Sequence, residues 1–260
     1  MPIVDSSGTR IFWNESGAGD PILLIMGLGY AHQMWFRTRP VLDAKFTTIA
    51  FDNRGVGASD VPPGPYPIAQ MAADAAAVMS AAGVDRAHVY GVSMGGMIAQ
   101  QFALDFPDRV NKLILGCTAS GGPNAVRATD EVMKVLMARA TMTPDEGAEA
   151  MVPYIYDAST PRARIDEDLT IRRSVYPTEQ GYTAQLQGIL AWTSFDRLGE
   201  IKAPTLVIHG QTDELVPPGN GRLIASRIPG AKLVMIPHAS HLYTTDQPEM
   251  SDEAILDFLK

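Results

Sequence analysis

The feature that most constrains this chain is an alternation. Short apolar runs, each long enough for one strand, recur between longer segments of helical character. Thr9–Glu15, Pro21–Met26, Phe46–Phe51, His88–Tyr90, Val110–Leu115, Thr205–His209 and Lys232–Ile236 read as strands. Several are apolar on both faces, Ile22-Leu23-Leu24-Ile25 most clearly, which fits a parallel sheet covered by helices on each side. Between them, Ile68–Ala82, Met94–Phe106, Asn220–Ile228 and Glu249–Leu259 read as helices, the first ending at a capping Gly83. The spacing predicts an α/β architecture with a mostly parallel, doubly wound sheet.

The rhythm breaks between residues 121 and 195. Asn124–Ala140, Pro144–Tyr156, Ile165–Val175 and Thr178–Trp192 are helix-like, and no strand interrupts them. The strand pattern then resumes at Ala203. A core formed by residues 1–120 and 196–260, carrying a helical cap at 121–195, is therefore expected. The 260 residues make a core large enough to need no covalent staple, and the single Cys117 excludes an intramolecular disulfide.

Charge narrows the partners. With 21 Lys+Arg against 29 Asp+Glu and a net charge of −8, the chain lacks the basic surface that phosphate backbones recruit, so no nucleic-acid partner is expected. The N-terminal Met-Pro-Ile-Val-Asp lacks the basic and apolar regions of a signal peptide. No apolar run approaches about 18–20 residues. These readings predict a soluble cytoplasmic protein with no membrane partner and a small-molecule substrate.

Gly91-Val92-Ser93-Met94-Gly95 matches G-x-S-x-G between a predicted strand and a predicted helix. A serine on so sharp a turn adopts strained backbone angles, and small residues two positions either side avoid clashes at the crossing. The following helix starts beneath the serine, where its free N–H groups favour a developing oxyanion. Such a hydroxyl needs an oriented base. His241 and His238 share the loop after the last predicted strand, and spacing alone does not choose between them. His32, His88 and His209 are read as structural, and no carboxylate or cysteine cluster completes a metal site around His238-x-x-His241. The imidazole needs a carboxylate to hold its tautomer. Asp213, after the Thr205–His209 strand, is that candidate, with Glu214 its neighbour and competitor. The order Ser93, Asp213, His241 places all three at carboxyl ends of strands.

From Thr9 to Leu259 the chain resembles the α/β-hydrolase superfamily. It is especially similar to the branch carrying Asp-x-Arg-Gly-x-Gly-x-Ser, here Asp52-Asn53-Arg54-Gly55-Val56-Gly57-Ala58-Ser59. That branch holds esterases, lactonases, carbon–carbon bond hydrolases and cofactor-free haloperoxidase-like enzymes. The resemblance implies a helical cap after the sixth strand and an oxyanion hole formed by the backbone N–H groups of Leu28 and Met94. Relatives usually carry His-Gly after the third strand, whereas this chain has Met26-Gly27. No dinucleotide fingerprint is complete in either glycine-rich loop, so no NAD, flavin or other cofactor is expected.

Adjacent to these positions, Gly27, Leu28, Met94, Leu215, Val216 and Leu242 are expected to line a substrate pocket. Met133, Met137, Met151, Tyr154, Tyr156 and Trp192 are the cap's candidates. This lining favours an apolar acyl or ring substrate. No arginine is placed by motif to hold a carboxylate, although Arg162, Arg164, Arg172 and Arg173 lie in the cap and read equally well as solvated helix faces. The expected activity is hydrolysis of carboxylic esters or lactones through an acyl-enzyme. The same triad would serve carbon–carbon bond hydrolysis or perhydrolysis, and the same fold a non-catalytic ligand sensor.

Overall fold

The computed structural model describes residues 2–260. Eight strands form one sheet: β1 (Ile3–Ser6), β2 (Thr9–Gly17), β3 (Asp20–Ile25), β4 (Phe46–Phe51), β5 (Ala87–Val92), β6 (Val110–Gly116), β7 (Thr205–Gly210) and β8 (Lys232–Ile236). Their spatial order is β1-β2-β4-β3-β5-β6-β7-β8. Strands from β4 through β8 pair in parallel, and β2 runs antiparallel to both β1 and β4. The sheet's interior strands are buried on both faces, β7 along its whole length. That is the arrangement the apolar runs predict. Two apolar layers cover the sheet, one built on Leu23, Ile49, Val89 and the Ile68–Ala81 and Met94–Asp105 helices. The other is built on Ile22, Leu24, Tyr90 and the Pro248–Leu259 helix.

β1 is an addition to the sequence reading. It joins β2 through Ser7 and Gly8, both at positive φ (53° and 80°), the backbone that a two-residue hairpin requires. β1 is a short edge strand with little apolar alternation, so the turn residues carried its only signal.

Between β6 and β7 the chain makes a helical excursion, leaving at Gly121 and returning at Thr193, which form an antiparallel bridge. Its helices are Asp130–Ala138, Pro144–Ala150, Val152–Ile155, Arg162–Ser174 and Glu179–Leu190. Two of these differ from the sequence reading. The first begins at Asp130 rather than Asn124, because Gly121 and Gly122 sit at positive φ and Thr129 caps the helix through Val132 N–H. The second is split near Met151, where Pro153 lacks the N–H that a continuous helix needs. Thr143 and Glu146 form a reciprocal capping box at its start.

Ala148, Met151, Ile155, Ile165 and Leu169 give the excursion a small core of its own. Hydrogen bonds tie it to the core, three of them close to the site. Leu242 N–H donates to Ile155 O at 2.9 Å. Gln185, fully buried, accepts from Gly29 N–H at 2.8 Å and donates to Arg54 O at 2.8 Å. Among the described residues no helix is long and apolar enough to cross a membrane.

Candidate active site

Five strands end at one place. The residues just past β3, β5, β6, β7 and β8 meet at their carboxyl edge, under the excursion's helices. This is where an open α/β sheet offers a crevice.

Ser93 follows β5 at φ 56° and ψ −123°, a strained conformation for a residue with a side chain. Its neighbours explain how it is held. Ser93 N–H donates to Gly116 O at 2.9 Å, and Thr118 Oγ1 donates to Ser93 O at 2.7 Å. A Cβ on Gly95 would overlap the carbonyl oxygen of Ile25, and one on Gly91 would overlap that of Gly95. Gly27 presses on the same turn, since a Cβ there would lie 3.1 Å from Ser93 Cβ. Glycine is required at the motif positions because backbone, not side chain, occupies the space.

His241 and Asp213 are joined. His241 Nδ1 lies 2.9 Å from Asp213 Oδ2, so Nδ1–H donates and Nε2 is left as an acceptor. Asp213 Oδ1 accepts from Val216 N–H at 2.8 Å. His209 Nε2 also lies 3.2 Å from Asp213 Oδ2 and 2.8 Å from Val216 O, a contact the sequence reading placed only near the site. Burial pushes the His241 ring down in basicity, but the Asp213 carboxylate and then the Cys117 sulfur outweigh it, holding the ring well above the usual histidine range. Burial likewise pushes Asp213 up, and the two imidazoles more than offset this, so it stays below the usual carboxylate value.

Placement separates the candidates that the sequence left open. His238 is exposed at positive φ, and Glu214 is exposed as well. Of the other histidines, His32 Nδ1 pairs with Asp52 Oδ1 at 2.8 Å, and His88 is buried at the opposite end of β5. The Asp52-to-Ser59 motif is a latch: Asp52 accepts from His32 and Ala58 N–H groups, and Arg54 holds Asp74 through two bonds of 2.6 and 2.7 Å.

Ser93 and His241 line a common cavity of about 760 Å³. Leu28 and Met94 line it too, and among the described residues neither of their backbone N–H groups donates elsewhere. Gly27, Leu215, Val216, Leu242, Met133 and Met151 are also on its wall. Met137, Tyr154, Tyr156 and Trp192 are not. Along the Asp130–Ala138 helix and the turn after it, the cavity-facing row steps through Met133, Leu136 and Arg139, three residues apart, which leaves Met137 outside and half exposed (50%). Tyr154 turns away to donate to Glu131 Oε1 at 2.8 Å. Tyr156 donates to the buried Asp168 at 3.1 Å. Trp192 is buried beneath the Gly121 turn, with its indole N–H on Gln101 Oε1 at 2.8 Å.

Wall residues that the sequence reading did not name include Tyr30, Met97, Cys117 and Arg139. Cys117 was reachable by the rule that found the others, for it follows β6 at the same edge. Arg139 carried no motif.

A serine on a strained strand-to-helix turn and a carboxylate-bound imidazole line one cavity at the carboxyl edge of the sheet, an arrangement that fits a hydrolase class. The chain belongs to the α/β-hydrolase fold family, whose model matches residues 20–244. It is 31% identical to a candidate carbamate hydrolase (RutD) of Azorhizobium caulinodans, over 99% of this chain and 98% of that one. It is 34% identical to a poly(3-hydroxyalkanoate) depolymerase of Ectopseudomonas oleovorans, over 92% of this chain and 84% of the relative. Among solved structures, the enol-lactonase of Burkholderia xenovorans LB400 superposes with a TM-score of 0.88 at 27% identity, each chain covered to 99%.

Proposed function

We propose that this chain is a serine hydrolase of carboxylic esters or lactones, acting through an acyl-enzyme. The observation that carries the reading is the shared cavity: Ser93 on its strained turn and His241, held by Asp213, line one largely apolar chamber. The His241 Nε2 lone pair takes the Ser93 hydroxyl proton while Oγ attacks the carbonyl carbon. Asp213 holds the tautomer and stabilises the imidazolium that forms. The free N–H groups of Leu28 and Met94 bind the oxyanion, the second backed by the Met94–Asp105 helix dipole. Collapse returns the proton from His241 to the leaving oxygen. Water, deprotonated by His241, then releases the acid and restores Ser93.

Backbone donors explain why Met26 in place of histidine is compatible with this hole. The apolar wall formed by Met26, Met94, Met97, Leu215 and Leu242 suits a hydrocarbon acyl or ring portion. The depolymerase and enol-lactonase relatives act on carboxylic ester linkages by their names, which agrees with this choice of bond.

The test is covalent labelling by a fluorophosphonate together with turnover of p-nitrophenyl esters, lactones and a carbamate, and a peroxide/halide assay alongside. Ester or lactone turnover, with labelling and turnover both lost in Ser93→Ala by a factor of at least ~10⁴, supports the reading. Undiminished turnover in Ser93→Ala removes it, and a single slow turnover would mark a ligand sensor.

A further inference from the structure

Arg139 is 3% exposed and lines the cavity that holds Ser93. Its guanidinium lies against the ring faces of Tyr30, Tyr176 and Tyr182, with centroids at 4.9, 5.3 and 5.2 Å. Ring faces attract a cation but offer no acceptor in the guanidinium plane. The hydroxyls of Tyr176 and Tyr182 are spent as donors to the carbonyls of Arg139 (3.1 Å) and Leu136 (2.9 Å). Nε and Nη2 of Arg139 have no hydrogen-bond partner, and no carboxylate among the described residues lies within 4.0 Å of it.

A second guanidinium adds to the imbalance. Arg172, 1% exposed, donates to the Tyr30 and Tyr156 hydroxyls and also lacks a carboxylate partner. The buried acid of this region, Asp168, is already occupied by Arg37 at 3.0 Å, Thr245 at 2.7 Å and Tyr156 at 3.1 Å. The wall therefore holds more buried positive charge than its carboxylates offset, which is costly unless an anion completes it. Tyr30 registers this field: burial raises its hydroxyl, yet Arg139, Arg172 and His241 bring it below the ordinary phenol value. The four cap arginines singled out in the sequence are committed elsewhere. Arg162 and Arg173 pair with Glu149, Arg164 with the carbonyls of Thr245 and Asp246, and Arg172 with the tyrosines.

We infer that Arg139 seats an anionic group of the substrate, so that the ester or lactone carries a carboxylate remote from the bond that is cleaved. This rests on the serine-hydrolase reading of the same site and adds the substrate class to it. The apolar wall then takes the methylene portion, with the reacting carbonyl at Ser93 and the carboxylate at Arg139.

The experiment compares kcat/KM for the mono-p-nitrophenyl esters of succinate, glutarate and adipate with those of the matching neutral p-nitrophenyl methyl diesters. At least one acid should be preferred over its neutral partner by about tenfold or more. Arg139→Gln should collapse that ratio towards one, and Arg139→Lys should retain part of it. A ratio cancels any general loss of activity, and the wild-type comparison stands even where a variant does not fold. Preference for none of the three acids, or a preference that survives Arg139→Gln, overturns the inference. Calorimetric binding of glutarate to the wild-type protein supplies a readout free of turnover. Binding lost in Arg139→Gln supports the seat, and no binding to wild type counts against it. Absence of labelling and turnover with every substrate, by contrast, fails the hydrolase reading and leaves the glutarate arm to judge the seat.

Discussion

The floor and the roof of the cavity are built on different principles. The floor is backbone: carbonyl groups crowd Gly91 and Gly95 so closely that a methyl group has no room at either, and Gly27 presses on Ser93. The roof is side chain. Met133 and Leu136 project from one helix and Arg139 from the turn that follows it, steadied by tyrosines and by the Gln185 bridge. A floor of this kind fixes the position of a nucleophile and tolerates little change, whereas a roof of this kind can change its substrate without disturbing the chemistry beneath.

Asp213→Asn should give the largest effect that separates the two. It leaves the roof untouched and should lower kcat by about 10⁴, since the amide no longer stabilises the imidazolium. The pH profile sharpens this. Nε2 must be unprotonated to accept the Ser93 proton, and the folded His241 sits well above the ordinary value of 6.5. Activity should therefore rise with pH along a limb centred above 6.5, and that limb should move to lower pH once the Asp213 charge is gone. A limb unmoved by the substitution would mean that another group sets the profile.

Gly95→Ala tests the floor by unfolding in urea. The new methyl meets the Ile25 carbonyl, which is strand backbone, so a loss of about 4 kcal/mol or more is expected. Gly83→Ala is the counterpart, because Gly83 has positive φ (70°), which Gly95 does not, and has nothing within 4 Å of the added carbon. It should cost only about 1 kcal/mol. Equal losses at the two positions would mean that the close approach at Gly95 costs no more than the left-handed backbone at Gly83.

Gln185→Leu should have a smaller effect than Gly95→Ala, and it crosses from roof to floor. It leaves the Gly29 N–H and the Arg54 carbonyl without partners, a loss of about 2–3 kcal/mol. Gly29 adjoins Leu28, so kcat should fall by about tenfold along with the melting temperature. A stability loss with kcat unchanged would show that Gln185 only anchors the helices and does not hold the oxyanion loop.

How far each region could be read in advance follows the same division. Phe46–Phe51 and Lys232–Ile236 are strands over the same residues that their apolar runs mark out; in the first, burial on both faces leaves a continuous signal. The Gly-x-Ser-x-Gly turn was legible because a backbone constraint admits only one residue type, and that residue is visible in the sequence. Met137 misled because periodicity identifies a helix but not which of its faces a distant loop covers, and Trp192 because it lies past the end of its helix. Arg139 was silent because an unpaired charge is a relation among residues 30, 139, 168, 172, 176 and 182, and no spacing along the chain encodes it.

The order of strands and helices, the turn that strains Ser93 and the apolar character of the interior were set by the sequence, since each rests on contacts or angles within a few residues. Tertiary structure decided that His241 and not His238 faces Asp213, that Gln185 joins two loops more than 100 residues away from it, and that Arg139 is left without a carboxylate counter-ion among the described residues. Those outcomes depend on how five strand ends and a folded excursion converge, and the free energy of such convergence belongs to the packed molecule and not to any segment of it.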